Sequence, residues 1–320
     1  MKKLILMILA FSLAKVAFAG AYQEVLTPPT YTQAECEATP NSLWVDAAWR
    51  ESGKGKQASA CLKYFPSENV AGASTALIFV DGDVYTSPGH DTSTYDILKA
   101  KNTEFANLIA KQAGLPVIRL ARPGTFGSSG MSHVLDRRMP IETYLIDAAV
   151  TRLKERYGFH RIQLAGQSTG GGLVGGLMTL GRDDIDCAVI SSGVTSVKTR
   201  SSHLNSPFFH KGQDETGHDL KEVYDPIDHV SGIVPDQSRR VFILADPRDE
   251  AVSFASQKEF HEKLIKSGIS STLLTDTAED ERHHILAAPA QRIAGWCKGG
   301  KTDGEIRELL KTGHASGRSA

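Results

Sequence analysis

The stretch Arg161-Ile162-Gln163-Leu164-Ala165-Gly166-Gln167-Ser168-Thr169-Gly170-Gly171-Gly172 runs from a short apolar segment into a glycine-rich helical pattern through the pentapeptide Gly-x-Ser-x-Gly. The geometry of such a turn explains its glycines. A serine lifted onto a tight strand-to-helix turn needs neighbours without side chains, so that the backbone can bend and another molecule can approach the hydroxyl. The setting, strand then turn then helix, carries more weight than the pentapeptide alone.

Working outward, the runs 76–80, 116–120, 161–165, 187–190 and 241–245 are four or five residues long and, for the most part, apolar without alternation. Such runs suit strands covered on both faces by helices. Helical periodicity fills the gaps at 95–113, 141–157, 169–180 and 253–267. Repeated strand and helix predicts an α/β fold with a doubly wound, mostly parallel sheet. Ahead of it, 42–50 and 57–65 are rich in strand formers and flank the glycine-bearing segment 52–56, which predicts an N-terminal antiparallel hairpin. Two segments break the rhythm, 122–139 and 195–236. Both follow a strand, so they are expected to wall or cover a site, the second as a lid.

A serine hydroxyl is a weak nucleophile unless a base takes its proton and a carboxylate orients that base. Downstream of Ser168 the turn 244–252 offers Asp246 and Asp249, and His283 and His284 precede a further apolar helix. The order Ser, Asp, His is that of an α/β-hydrolase triad.

On these residues the chain resembles the α/β-hydrolase serine hydrolases over residues 42–297, and within them the prolyl-oligopeptidase-like and dienelactone-hydrolase-like catalytic domains. Ala245-Asp246-Pro247-Arg248-Asp249-Glu250-Ala251-Val252 is similar to the acid turn of that branch, where the aspartate stands three residues before a valine. The resemblance therefore implies Asp249 as the acid, with Asp246 as alternate. It favours His283 as the base, because His284 then takes the family's glycine position and Ile285 its apolar one; His284 is the alternate. Arg122-Pro123-Gly124-Thr125-Phe126-Gly127-Ser128 is similar to the family's Arg-Pro-Gly-x-Gly-x-Ser loop, and 224–229 to the segment before the acid-bearing strand. The family binds the oxyanion with the amide after the nucleophile, here Thr169, and with one from the loop after the third strand, assigned to Asp83. That loop departs from the usual His-Gly, since Asp81-Gly82 stands in its place, and two carboxylates beside a developing negative charge are unfavourable unless neutralised or turned away.

The 320 residues carry 36 Lys+Arg and 37 Asp+Glu, a net charge of -1, so no global basic field exists to draw in nucleic acid. Lys2 and Lys3 precede an apolar run, 4–14, and Ala17-Phe18-Ala19 has the small-residue pattern of a cleavage site. A signal peptide over residues 1–19 is expected, cut after Ala19, with a periplasmic or secreted mature protein and no membrane span. A single domain is expected over 20–298, with the lid at 195–236 and a polar tail at 299–320 carrying a short helix near 305–311. In an oxidising compartment the four cysteines become disulfide partners. Cys36 with Cys61 is the expected pair, while Cys187 and Cys297 suit two buried thiols or a second bridge equally.

The resulting expectation is an exported serine hydrolase that cleaves a carboxylic ester, or an amide, through an acyl-enzyme on Ser168, with a small ester or short peptide as substrate. Ester cleavage is favoured over a peptidase-like amidase, because peptidases of the similar branch generally use an extra propeller domain for which the chain has no room. No cofactor and no metal is expected: adjacent histidines point in different directions, and no ligand motif frames them. Gly166-x-x-x-Gly170-x-Gly172 also fits the glycine spacing of short-chain dehydrogenases. That fingerprint, however, normally follows the first strand, and the Tyr-x-x-x-Lys pair is missing, since Tyr224 is followed by Asp228. A hydrolase-like binding protein without turnover is the other alternative. It draws support from Asp81-Gly82 and from the run Gly170, Gly171, Gly172, Gly175 and Gly176, each costing about 1 kcal/mol inside a helix.

Overall fold

A computed structural model of the chain describes residues 23–84, 93–203 and 212–317. The expected signal peptide lies outside the described residues, as does part of the segment 195–236. The hairpin pairs β1 (Ser42–Glu51) with β2 (Lys54–Pro66), in register from Ser42 opposite Lys63 to Glu51 opposite Lys54. This leaves Ser52 and Gly53 as the turn, at φ 48 and 79, the positive values of a two-residue hairpin loop. The reversal is thus tighter than the expected five residues.

Six further strands follow: β3 (Leu77–Val80), β4 (Val117–Leu120), β5 (Ile162–Gln167), β6 (Ile185–Ser191), β7 (Arg240–Ala245) and β8 (Thr272–Thr275). They form one sheet in the order β1-β2-β4-β3-β5-β6-β7-β8. β2 joins β4 antiparallel and every pairing from β4 to β8 is parallel. The expected doubly wound sheet with an antiparallel hairpin is therefore present. β8 was not expected: it is four residues at an edge, only Leu274 of which is buried, so it leaves no apolar run.

The helices are α1 (Gln33–Ala38), α2 (Ser93–Ala100), α3 (Asn102–Ala113), α4 (Pro140–Tyr157), α5 (Thr169–Thr179), α6 (Val197–His203), α7 (Phe254–Lys266), α8 (Ala287–Lys298) and α9 (Asp303–Gly317). Side chains alternate across the sheet. Ile78 and Val80 join the core under α4, α5 and α7, whereas Leu77 and Phe79 join the opposite one under α3, α8 and α9. In the tail, α9 is longer than the short helix expected there, and its Ile306 and Leu310 are buried in that second core.

Two disulfides close the fold. Cys36–Cys61 ties α1 to β2 across 25 residues, and Cys187–Cys297 ties β6 to α8 across 110. The second resolves the open pairing of Cys187 and Cys297. By chain entropy the bridges are worth about 3 and about 5 kcal/mol. No helix among the described residues is long and apolar enough to cross a membrane.

Candidate active site

β5, at the centre of the parallel sheet, ends at Gln167, and α5 begins at Thr169. Ser168 alone makes the turn, at φ 58 and ψ -123, a conformation that a residue with a side chain holds only where its surroundings enforce it. Here the backbone enforces it. Ser168 N–H donates to Ser191 O at 2.8 Å, and its own carbonyl accepts from Gly172 N at 3.0 Å and Val194 N at 3.1 Å. A Cβ on Gly166 would stand 2.2 Å from Gly170 O, and one on Gly170 would stand 2.2 Å from Val80 O. Gly172 would likewise meet Val194 O at 2.4 Å. The glycines are needed for this close approach of backbone to backbone, which accounts for their cost in helix propensity and removes one argument for a binder without turnover.

The acid turn follows β7. Asp249 is buried, and its Oδ1 accepts from Ala251 N and Val252 N, both at 2.8 Å. The same carboxylate faces Nδ1 of His284, 2.9 Å from Oδ2 and 3.1 Å from Oδ1. A carboxylate only accepts, so Nδ1 is the donor of this pair, and in the neutral tautomer that follows Nε2 is the nitrogen able to accept a proton. The favoured sequence reading, His283, is not the ring that meets Asp249. His283 turns the other way, at φ 53, with Nδ1 3.3 Å from Ala278 O and 3.9 Å from Asp246 Oδ2. The reason lies in the turn between them. Asp280 accepts from Arg282 N, His284 N and Ile285 N at 3.2, 3.0 and 2.6 Å, winding the chain so that successive rings diverge toward different aspartates. Asp246 is occupied structurally: it accepts from Arg248 and from Ala278 N, and despite its burial these bonds hold its carboxyl below the usual range.

Gln167 joins the histidine turn to the elbow. Its Nε2 donates to His284 O at 2.8 Å, while its Oε1 accepts from Leu286 N at 3.1 Å and Ser191 Oγ at 2.9 Å. One amide thereby holds the peptides on both sides of Ile285 against the residue preceding Ser168. Sequence reading passed over Gln167, because the middle positions of Gly-x-Ser-x-Gly accept any residue. Asp280 left a fainter signal, an aspartate four residues before a histidine in a polar turn.

The loop after β3 runs directly against the elbow, since a Cβ on Gly82 would stand 3.0 Å from Ser168 Cβ. Its two aspartates are neutralised. Asp81 accepts from Arg119 Nε at 2.6 Å. Asp83 lies 2.8 Å from Arg122 Nη1, 3.2 Å from Arg138 Nη1 and 3.4 Å from Arg137 Nε. Burial alone would raise Asp83, but the guanidinium groups of Arg122, Arg137 and Arg138 hold it well below the usual carboxylate range. Arg122, the first residue of the loop similar to the family's, also pairs with buried Glu142, whose other oxygen accepts from Arg138 N at 2.7 Å. The departure at Asp81-Gly82 therefore brings no uncompensated negative charge to the elbow.

Residues 146–297, just under half of the chain, match the prolyl oligopeptidase family. Among solved structures, the chain is similar to Est1E from Butyrivibrio proteoclasticus at 14% identity and a TM-score of 0.50, over 81% of this chain and 98% of that one. The Pyrococcus furiosus esterase Pf2001 gives 16% and 0.51, over 85% and 94%. A Mycobacterium tuberculosis puromycin-hydrolyzing peptidase gives 16% and 0.51, over 89% of this chain but 41% of that one. No curated protein matches.

Proposed function

We propose that this α/β-hydrolase-fold serine hydrolase cleaves carboxylic esters through an acyl-enzyme on Ser168. His284 Nε2 takes the Ser168 proton as Oγ attacks the carbonyl, and Asp249 holds the imidazole in the required tautomer and steadies its positive charge. The backbone N–H groups of Thr169 and Asp83 receive the oxyanion. His284 then returns the proton to the departing alkoxide, and water releases the acyl group by the same path. The observation that carries the reading is the Asp249–His284 pair, held by Gln167 against a strained serine at the end of the central strand.

Ester cleavage is supported by the likeness to the Pyrococcus furiosus esterase Pf2001, over 85% of this chain and 94% of that one. Work outside the cytoplasm, after cleavage following Ala19, is supported by the Lys2-Lys3 and apolar start and by two disulfides. The test is hydrolysis of p-nitrophenyl esters of increasing acyl length by the wild type and Ser168→Ala, with fluorophosphonate labelling of Ser168. Turnover and labelling lost in the variant are expected. Equal turnover in a folded Ser168→Ala protein would overturn the assignment, and amide turnover without ester turnover would move it to a peptidase-like amidase.

A further inference from the structure

A line of buried charge passes from one side of Ser168 to the other by way of the long segment between β6 and β7. On the first side Arg138, 3% exposed, lies 3.2 Å from Asp83 Oδ2 and donates to Thr169 Oγ1 at 3.4 Å. These are side chains of the two residues whose amides are assigned to the oxyanion. Arg138 Nη2 also lies 3.4 Å from Asp214 Oδ2 and 2.7 Å from Glu215 Oε1. The other oxygen of Glu215 lies 2.7 Å from Arg200 Nη1. Arg200 Nε donates to Ala251 O at 2.9 Å, and Ala251 N–H donates to Asp249 Oδ1 at 2.8 Å. One carboxylate thus has its two oxygens on two buried guanidinium groups that end at opposite halves of the site.

We propose that Glu215 is a positioning residue for the reaction at Ser168, spacing the oxyanion side through Arg138 and the Asp249–His284 side through Arg200. The inference rests on the hydrolase reading above. Donors and base must hold their places together while charge moves from Oγ to the carbonyl oxygen, and small displacements of either raise the barrier steeply. A carboxylate with one oxygen 2.7 Å from each of two buried guanidinium groups holds the distance between them by charge. The sign of the effect separates positioning from a simple field. Removing a negative charge near a developing oxyanion would by field alone speed the reaction, whereas loss of spacing slows it.

The experiment measures kcat and KM with p-nitrophenyl acetate, and the fluorophosphonate labelling rate, for wild type, Glu215→Gln and Glu215→Asp, with near-ultraviolet circular dichroism to confirm folding. Glu215→Gln is expected to lower kcat and the labelling rate about 10- to 100-fold with KM changed less than about threefold. Glu215→Asp keeps the charge one methylene short and is expected to lose less, again in kcat. If Glu215→Gln does not fold, Glu215→Asp decides: reduced kcat at unchanged KM supports the inference and wild-type kcat overturns it. A folded Glu215→Gln protein with kcat at or above wild type overturns it as well. A wild type inert toward both ester and probe overturns the hydrolase reading and this inference with it, whereas an active wild type matched by Glu215→Gln overturns this inference alone.

Discussion

The adjacent histidines allow the sharpest test of the site. His284→Ala removes the ring whose Nδ1 stands 2.9 Å from buried Asp249. On the proposed mechanism it leaves Ser168 without a base, and it leaves Asp249 with only the bonds from Ala251 N and Val252 N. Loss of a triad member lowers kcat by about 10⁴- to 10⁶-fold, or about 5 to 8 kcal/mol of transition-state stabilisation. His283 makes no comparable contact: its ring is 3.9 Å from Asp246 and about a third exposed. Its φ of 53 suits glycine, so His283→Gly removes the ring without adding backbone strain. That variant is expected to keep kcat within about threefold, under about 1 kcal/mol. The assay is steady-state hydrolysis of p-nitrophenyl acetate with fluorophosphonate labelling, each variant checked by circular dichroism. A loss in His283→Gly as large as in His284→Ala, or more than a tenth of wild-type kcat in folded His284→Ala, would refute the pairing as the working one.

Gln167→Leu keeps bulk but leaves His284 O and Leu286 N without their partner, so a fall in kcat of about 100-fold at similar KM is expected, with about 1 to 3 kcal/mol lost per unpaired group in denaturant unfolding; full activity would show that the histidine turn holds itself. Burial pushes Asp225 up to about 6, against the bonds it accepts from Val197 N and Lys198 N. Its unfolded value is about 3.9, so the folded chain binds the extra proton, and this contribution is fully present below about pH 4 and falls by up to about 3 kcal/mol as pH rises past 6. Asparagine does not ionise, hence Asp225→Asn should gain stability relative to wild type between pH 4 and 7 in urea unfolding, and a pH-independent difference would contradict this.

Much of the sheet was legible because the central parallel strands are buried on both faces and mostly apolar, so runs such as 76–80 and 241–245 stand out against polar surroundings. β8 escaped because it is short, at an edge and only partly covered. The long helical pattern at 95–113 divides into α2 and α3 at Lys101, a break that periodicity does not register, since apolar positions recur on both sides of it. Cys187 and Cys297 lie 110 residues apart, and their pairing depends on α8 crossing β6, which spacing does not encode.

At the site, the sequence by itself determined the elbow, because Gly-x-Ser-x-Gly is a local demand: Gly166 and Gly170 answer backbone contacts at 2.2 Å that no side chain permits. It also set out Ser168, Asp249 and the two histidines in the chain order expected of nucleophile, acid and base. Which histidine meets Asp249 was decided only by the fold, through an aspartate four residues earlier that turns one ring inward and the next outward. The same holds for the neutral setting of Asp81 and Asp83 and for Gln167 and Glu215. Their partners come from segments distant in the chain, and the charge of a carboxylate in sequence says nothing of which guanidinium tertiary packing will bring to it.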